Sequence, residues 1–334
     1  MSLTRENIIE LFNRFNDLNV LIIGDVMIDS YYWGSVNRIS PEAPVPVVAV
    51  NKKEYRLGGA ANVALNIQAL GGTPHLCSVI GNEIDADILS SLLEKQNMSG
   101  DGIIRSNERI TTVKTRVIGN NHQMIRVDSE TDKNIDSTLT EQLFSKISEI
   151  LDAKKIDVII FEDYDKGVIT PALIEKVVNL AKQKNIPTTV DPKKRNFLDY
   201  KNVTLFKPNL KELCEGLKIE IERNNISEVE KGIDELEKIL HAKISFITLS
   251  ENGVFIKNNQ SKHHIKAHIR DIADVSGAGD TVISVASMIL ACEQPLEVIA
   301  ELSNLAGGLV CEKVGVVPIQ KEDLLKEALE KLAK

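Results

Sequence analysis

Short apolar runs alternate with amphipathic stretches along most of this chain. Asn19-Val-Leu-Ile-Ile-Gly24 is apolar without alternation, the pattern of a strand buried on both faces, and the amphipathic run 4–16 before it predicts a first helix. Beyond Ser129 the rhythm returns. Val158-Ile-Ile-Phe161, Pro187-Thr-Thr-Val190, Val203-Thr-Leu-Phe206 and Ser245-Phe-Ile-Thr-Leu249 read as strands with helices between them. Such alternation predicts an α/β fold: a doubly wound, mainly parallel sheet flanked by helices. The tail, Lys321 to Lys334, reads as a solvated amphipathic helix.

Two blocks break the rhythm. Tyr31-Tyr-Trp33 leads to Pro41, Pro44 and Pro46, which rule out helix and disfavour a central strand, before a strand at Val47-Val-Ala-Val-Asn51. Thr111–Ile118 and Gln123–Val127 flank Asn120-Asn-His122 and read as a hairpin. The inserts, roughly 37–57 and 103–128, are expected to form a small β-sheet lid that excludes water from a cleft. A dimer contact through the same sheet is compatible with that role.

Composition narrows the class. A chain of 334 residues, 43% hydrophobic, can bury the core of one large domain spanning 1–334. Net charge −8 argues against a general nucleic-acid or membrane-surface binder. Cys77, Cys214, Cys292 and Cys311 form no CxxC pair, so neither a disulfide framework nor a zinc site is indicated. The N-terminus lacks a signal-peptide apolar core and no apolar run reaches membrane-spanning length, so a cytoplasmic location is expected.

The chemistry concentrates at Asp274-Val-Ser-Gly277-Ala278-Gly279-Asp280-Thr281, where small residues uncover backbone N–H groups just before an apolar helix, Thr281–Leu290. Bare amides and a helix dipole favour negative charge. Asp280 would repel that charge, and so suits a different task, accepting a proton from a substrate hydroxyl beside a transferring phosphoryl group. An N-cap Asp after a glycine turn is the alternative.

Other polar residues cluster at strand ends, where open α/β sheets bind ligands. Asp25 and Asp29 follow the first strand and could accept hydrogen bonds from hydroxyls. No G-x-G-x-x-G follows that strand, which disfavours a dehydrogenase. Gly58 and Gly59 form a second glycine-rich turn, and Asn62 after it offers a donor and an acceptor, the pairing a diol needs; a helix cap is the alternative. Glu162-Asp163-Tyr164, Asp191-Pro-Lys193, Lys207-Pro-Asn209 and Ser250-Glu-Asn-Gly253 end later strands, implying a long cleft. Asn209 and Glu212 share a helix face, and a carboxylate facing nucleotide phosphates needs Mg²⁺ between, held through water.

These motifs resemble the ribokinase-like (PfkB) carbohydrate kinases over nearly the whole chain. Gly58-Gly59-Ala-Ala-Asn62-Val-Ala64, with Gly71 and Gly81, is similar to the N-terminal signature; Asp274 to Asp280 is similar to the C-terminal one. Gly24–Asp29, Arg38–Pro46, Asp163-Tyr164, Lys166-Gly167, Asp191-Pro-Lys193 and Pro208–Glu212 resemble stretches of the D-glycero-β-D-manno-heptose 7-phosphate kinases, which serve ADP-heptose and lipopolysaccharide core precursor synthesis. Many of those carry a nucleotidyltransferase domain after the kinase; this sequence resembles the stand-alone form.

The resemblance implies an ATP-dependent kinase with Asp280 as general base and Gly277, Ala278 and Gly279 as the anion hole. Asp25, Asp29, Gly58, Gly59, Asn62 and Asp191 would hold the sugar, which is phosphorylated at its anomeric hydroxyl. Lys193, Arg116, Lys114, Arg126 and Arg38 are candidates for the substrate's own phosphate. Asn209 and Glu212 would face the nucleotide phosphates and Mg²⁺, with Ser250, Gly253 and Asn304 near the nucleotide. Asp274 and Ser276 carbonyls match a monovalent-cation position, K⁺ in particular. Two positions depart from the pattern: Val285, where relatives have a small residue, and Asp165, where they have glycine; Asp tolerates positive φ, which would preserve the turn. A kinase of ribose, fructose, 2-keto-3-deoxygluconate or a nucleoside, and a non-catalytic sugar- or nucleotide-binding regulator, remain open.

Overall fold

The computed structural model describes residues 4–222, 225–268 and 270–333. The first three residues of the N-terminal stretch and the last residue of the amphipathic tail lie outside them. In chain order come α1 (Arg5–Arg14), β1 (Asn19–Gly24), β2 (Val26–Ile39), β3 (Pro46–Gly59), α2 (Ala60–Ala69), β4 (Thr73–Ile80), α3 (Ile84–Lys95), β5 (Ile103–Arg105), β6 (Thr112–Gly119) and β7 (His122–Ser129). There follow α4 (Ser137–Ala153), β8 (Val158–Glu162), α5 (Pro171–Gln183), β9 (Thr188–Asp191), β10 (Leu205–Phe206), α6 (Leu210–Leu217) and α7 (Ile226–Leu240). The last are β11 (Ile244–Thr248), β12 (Val254–Lys257), β13 (Lys262–Ile265), α8 (Ala278–Ala291), α9 (Leu296–Cys311) and α10 (Lys321–Lys331).

The apolar run of β1 is buried on both faces because two strands and two helical layers enclose it. The large sheet has the order β13-β12-β11-β10-β9-β8-β1-β4-β5, parallel from β5 to β11 and antiparallel at β12 and β13. One apolar layer gathers Phe12, Ile67, Val285 and Leu302 on one face; the other gathers Leu143, Val177, Leu213 and Ile233. The chain runs outward from β1 through β4 to β5, then returns to β8 on β1's other side. That reversal makes the carboxyl ends of β1 and β8 a topological switch point, where such sheets open a crevice. Asp25 and Glu162 sit there.

The second sheet, order β3-β2-β6-β7, springs from the same place. It differs from the sequence expectation. β2 is one strand of 14 residues that already includes Tyr31–Trp33. Pro41 and Pro44 fall in the connection, and Pro46 opens β3, an edge strand where its missing N–H costs no ladder bond. Ile103–Arg105 pairs with β4 at the edge of the large sheet instead. The hairpin turns at Asn120 and Asn121, with φ of 51° and 64°, the left-handed pair of a two-residue loop. Pro74 and His75 interrupt the apolar pattern of β4, which hid that strand in the sequence.

Candidate active site

Helix α8 starts at Ala278, three residues before the apolar run suggested. Gly277 is its N-cap, with φ +81° and no side-chain cap, and Asp280 is its third residue. The capping alternative for Asp280 therefore fails. Asp274 folds the turn: its carboxylate accepts from the N–H groups of Ser276 and Gly315, each at 2.9 Å. Among the described residues the N–H groups of Gly277, Gly279 and Asp280 find no acceptor, while Ala278 N–H reaches Val275 O at 3.3 Å.

The other glycine-rich segment is a strand-to-helix corner, not a free turn. Gly59 has φ +60°, and a Cβ there would lie 2.3 Å from Asp25 O. That close approach lets Ala60 N–H bond the same carbonyl at 3.0 Å and start α2. Asn62, three residues on, is fully buried and caps nothing. Its Nδ2 donates to Asp280 Oδ2 at 2.7 Å, and its Oδ1 has no partner. Asn66 bridges the same helices: its Nδ2 donates to Asn62 O at 2.9 Å, and its Oδ1 accepts from Thr281 Oγ1 at 3.1 Å.

The second oxygen of Asp280 accepts from the Tyr164 hydroxyl at 2.7 Å. Burial pushes the Asp280 pKa up to about 6; the Asn62 and Tyr164 bonds oppose the rise, Asp191 adds to it and Lys193 opposes it. Beside it, Glu162 is 1% exposed and neither carboxylate oxygen has a hydrogen-bond partner among the described residues. Burial, with Asp191 and Asp280 nearby, holds its pKa well above the carboxylate range. Asp191 pairs with the buried Lys207 at 2.8 Å. Lys193 donates to Glu212 at 2.7 Å and lies 5.5 Å from the Tyr164 ring centre. Burial works against the Lys193 charge, but Asp191 and Glu212 outweigh it and raise its pKa.

Several expected site residues are otherwise engaged. Asp25 was expected to meet hydroxyls; instead its carboxylate, 1% exposed, accepts the backbone N–H groups of Tyr164, Lys166 and Val168 at 3.0–3.1 Å. It braces the turn after β8. Asp29, also buried, pairs with Arg116 across β2 and β6, and Gly58 backs onto its carboxylate. Lys114 binds Glu130 at 2.8 Å and Asp128 at 3.3 Å; Arg126 also binds Asp128, and Arg38 is exposed. Asn209 and Glu212 form a capping box on α6, and the cation facing Glu212 is Lys193.

Ser250 (φ 54°) and Gly253 (φ 85°) follow β11, and Asn304 donates to Lys266 O at 2.9 Å. Asp165 takes φ 56°, the turn conformation of glycine, and its carboxylate accepts from Arg195 N–H at 3.3 Å. Val285 is fully buried in the core. Sequence reasoning singled out neither Tyr164, Glu162 nor Lys207 as site residues, although each closes a polar strand end. It also missed Arg109, which donates to Lys166 O at 2.8 Å and whose Nε and Nη1 are buried without partners.

A family model described as pfkB family carbohydrate kinase matches residues 17–322. The chain belongs to that family. It is thereby a phosphotransferase with an alcohol group as acceptor. The bifunctional protein HldE of Syntrophotalea carbinolica is 37% identical over 324 residues, 96% of this chain; that of Geobacter metallireducens is 36% identical over 323 residues. The chain spans 65% of the length of each of these relatives. Among solved structures, Escherichia coli phosphofructokinase-2 in complex with potassium superposes with a TM-score of 0.76 at 18% identity, covering 94% of this chain and 99% of that one. Arabidopsis thaliana ribokinase complexed with ribose and ATP gives 0.70 at 14%, covering 92% and 99%. The fold is therefore ribokinase-like α/β, the class the alternation of strands and helices predicted.

Proposed function

We propose that this chain transfers the γ-phosphoryl group of ATP to the anomeric hydroxyl of D-glycero-D-manno-heptose 7-phosphate, giving the 1,7-bisphosphate used in ADP-heptose and lipopolysaccharide core precursor synthesis. The observation that carries the reading is the buried, ionisable Asp280 at an uncapped helix N-terminus, held by Asn62 from the other glycine-rich segment. The hydroxyl proton passes to Asp280 as its oxygen bonds phosphorus, and the bond from γ-phosphorus to the β–γ bridging oxygen breaks, releasing ADP. The N–H groups of Gly277, Gly279 and Asp280 take up charge on the phosphoryl oxygens. Gly58, Asp29 and Asn62 line the sugar side; Ser250, Gly253 and Asn304 line the nucleotide side.

Among the described residues no three acidic, histidine or cysteine side chains gather to hold a metal. Mg²⁺ would be held mainly by phosphate oxygens and water, and it would supply neutralisation of phosphate charge. Glu212, whose oxygens accept from Lys193 and the Asn209 N–H, would act on it through water. The Asp274 and Ser276 carbonyls would hold K⁺. Support for a phosphorylated substrate comes from charge pairing. Lys114, Arg116, Arg126 and Lys193 are each already matched to a carboxylate. Arg109, which donates to Lys166 O and feels Asp25 through space, has two nitrogens without a hydrogen-bond partner among the described residues. The small sheet would close over this cleft and pair in a homodimer, in the cytoplasm. No helix among the described residues is long and apolar enough to cross a membrane.

The test is ADP release with ATP and a panel of acceptors. Heptose 7-phosphate should exceed heptose, ribose, fructose, 2-keto-3-deoxygluconate and a nucleoside. Turnover on an unphosphorylated sugar alone would replace the substrate, and none on any sugar would remove the kinase reading.

A further inference from the structure

Both oxygens of the Asp280 carboxylate are engaged by neutral donors, Oδ2 by Asn62 and Oδ1 by the Tyr164 hydroxyl. Tyr164 does not come from a free loop. Its own N–H donates to Asp25 Oδ2 at 3.0 Å, and Lys166 and Val168 N–H groups hold the same carboxylate. Its neighbour Asp163 accepts from Tyr200 at 2.7 Å, Asn196 at 2.9 Å and Asp165 N–H at 2.8 Å. The turn that delivers the phenol is thus fastened at two buried carboxylates.

Charged groups face Asp280 from several elements. Asp191 at the end of β9 disfavours its ionised form, Lys193 favours it, and Lys207 is spent on Asp191. Glu162 at the end of β8 is itself held well above the carboxylate range, Asp191 and Asp280 contributing. In a buried site, what keeps such a carboxylate charged is the hydrogen bonds it accepts. A phenol suits the task. Burial, then Asp280 and Glu162, raise the Tyr164 pKa well above its ordinary value, so the hydroxyl remains a donor and never competes as a base.

We propose that Tyr164 is a positioning residue: by donating to Oδ1 it fixes the rotation of the Asp280 carboxylate and stabilises its ionised form, leaving the other Oδ1 lone pair for an incoming hydroxyl. This rests on Asp280 being the base, and Asp25 acts through the same chain by holding Tyr164 in place.

The test uses the ligand-free full chain, with the Asp280 carboxyl carbon followed by NMR in aspartate-¹³C-labelled protein and assigned by its loss in Asp280→Asn. Its midpoint should lie near 6 in the parent protein. In Tyr164→Phe it should rise by about one pH unit, and site-specific fluorotyrosine at 164, a stronger donor, should lower it. The acid limb of the ADP-release profile with heptose 7-phosphate should move in the same directions, so Tyr164→Phe loses most turnover at pH 6 and least at pH 9. A midpoint unmoved in both variants, or a loss of turnover equal at every pH, overturns the proposal. Asp280→Asn with near-parental turnover would instead remove the base itself and leave the titration result standing.

Discussion

The Asn62 side-chain amide donates to Asp280 Oδ2 at 2.7 Å, joining residues 218 positions apart in sequence. This one bond places the two glycine-rich segments against a common space. With the Tyr164 hydroxyl and Lys193 it also supports the ionised form of a carboxylate that is 4% exposed.

The first prediction is a pH dependence with opposite signs for rate and stability. With the Asp280 pKa at about 6, turnover should rise with pH through 6 and then level. The folded pKa lies above the 3.8 of the unfolded chain, so the folded state holds the proton more tightly. Asp280 therefore costs stability above pH 6, and the cost vanishes as pH falls below 3.8. Asp280→Asn should melt higher than the parent at pH 8, by up to about 3 kcal/mol, and match it near pH 4. Parallel urea titrations at the two pH values check the sign.

Gly59→Ala should fail at the corner between β3 and α2. It combines φ +60° with a Cβ 2.3 Å from Asp25 O, a backbone atom that cannot turn aside. A loss of about 3 kcal/mol or more is expected by chemical denaturation. Parental stability would mean that the corner is built differently.

Lys207→Met removes the close partner of the buried Asp191 and leaves it only the more distant Lys193, at 3.9 Å. The expected loss is about 3–5 kcal/mol, and replacing Asp191 with Leu in the same protein should recover most of it. A double-mutant cycle on unfolding free energy separates the pair from either side chain alone.

Arg109→Ala should raise KM for heptose 7-phosphate at least about tenfold, leaving KM for ATP within about threefold, since one charge-assisted bond is worth roughly 1.5–3 kcal/mol. Equal effects on both substrates would detach Arg109 from the sugar phosphate.

Much of the fold was legible because β1, β8 and β11 are short, mainly apolar runs, as strands of a covered parallel sheet are. What escaped were elements whose partners are distant. β4 carries Pro74 and His75, and β13 is a half-exposed edge strand. Asp280 stood out because a carboxylate among bare amides is chemically odd. Asp25 looked equally suitable for a hydroxyl, and only the return of residues 164–168 across β1 shows its oxygens already filled. Tyr164 and Lys207 stood among the polar strand ends, but their particular roles escaped for the same reason: they depend on which strand ends lie side by side.

The most direct measurement of the central claim is single-turnover phosphoryl transfer from ATP to heptose 7-phosphate by the parent protein and by Asp280→Asn, followed by ³¹P NMR. The parent should produce an anomeric phosphate, and the variant should bind ATP comparably yet transfer about a thousandfold more slowly or less. Transfer by the variant within a few fold of the parent would contradict the account.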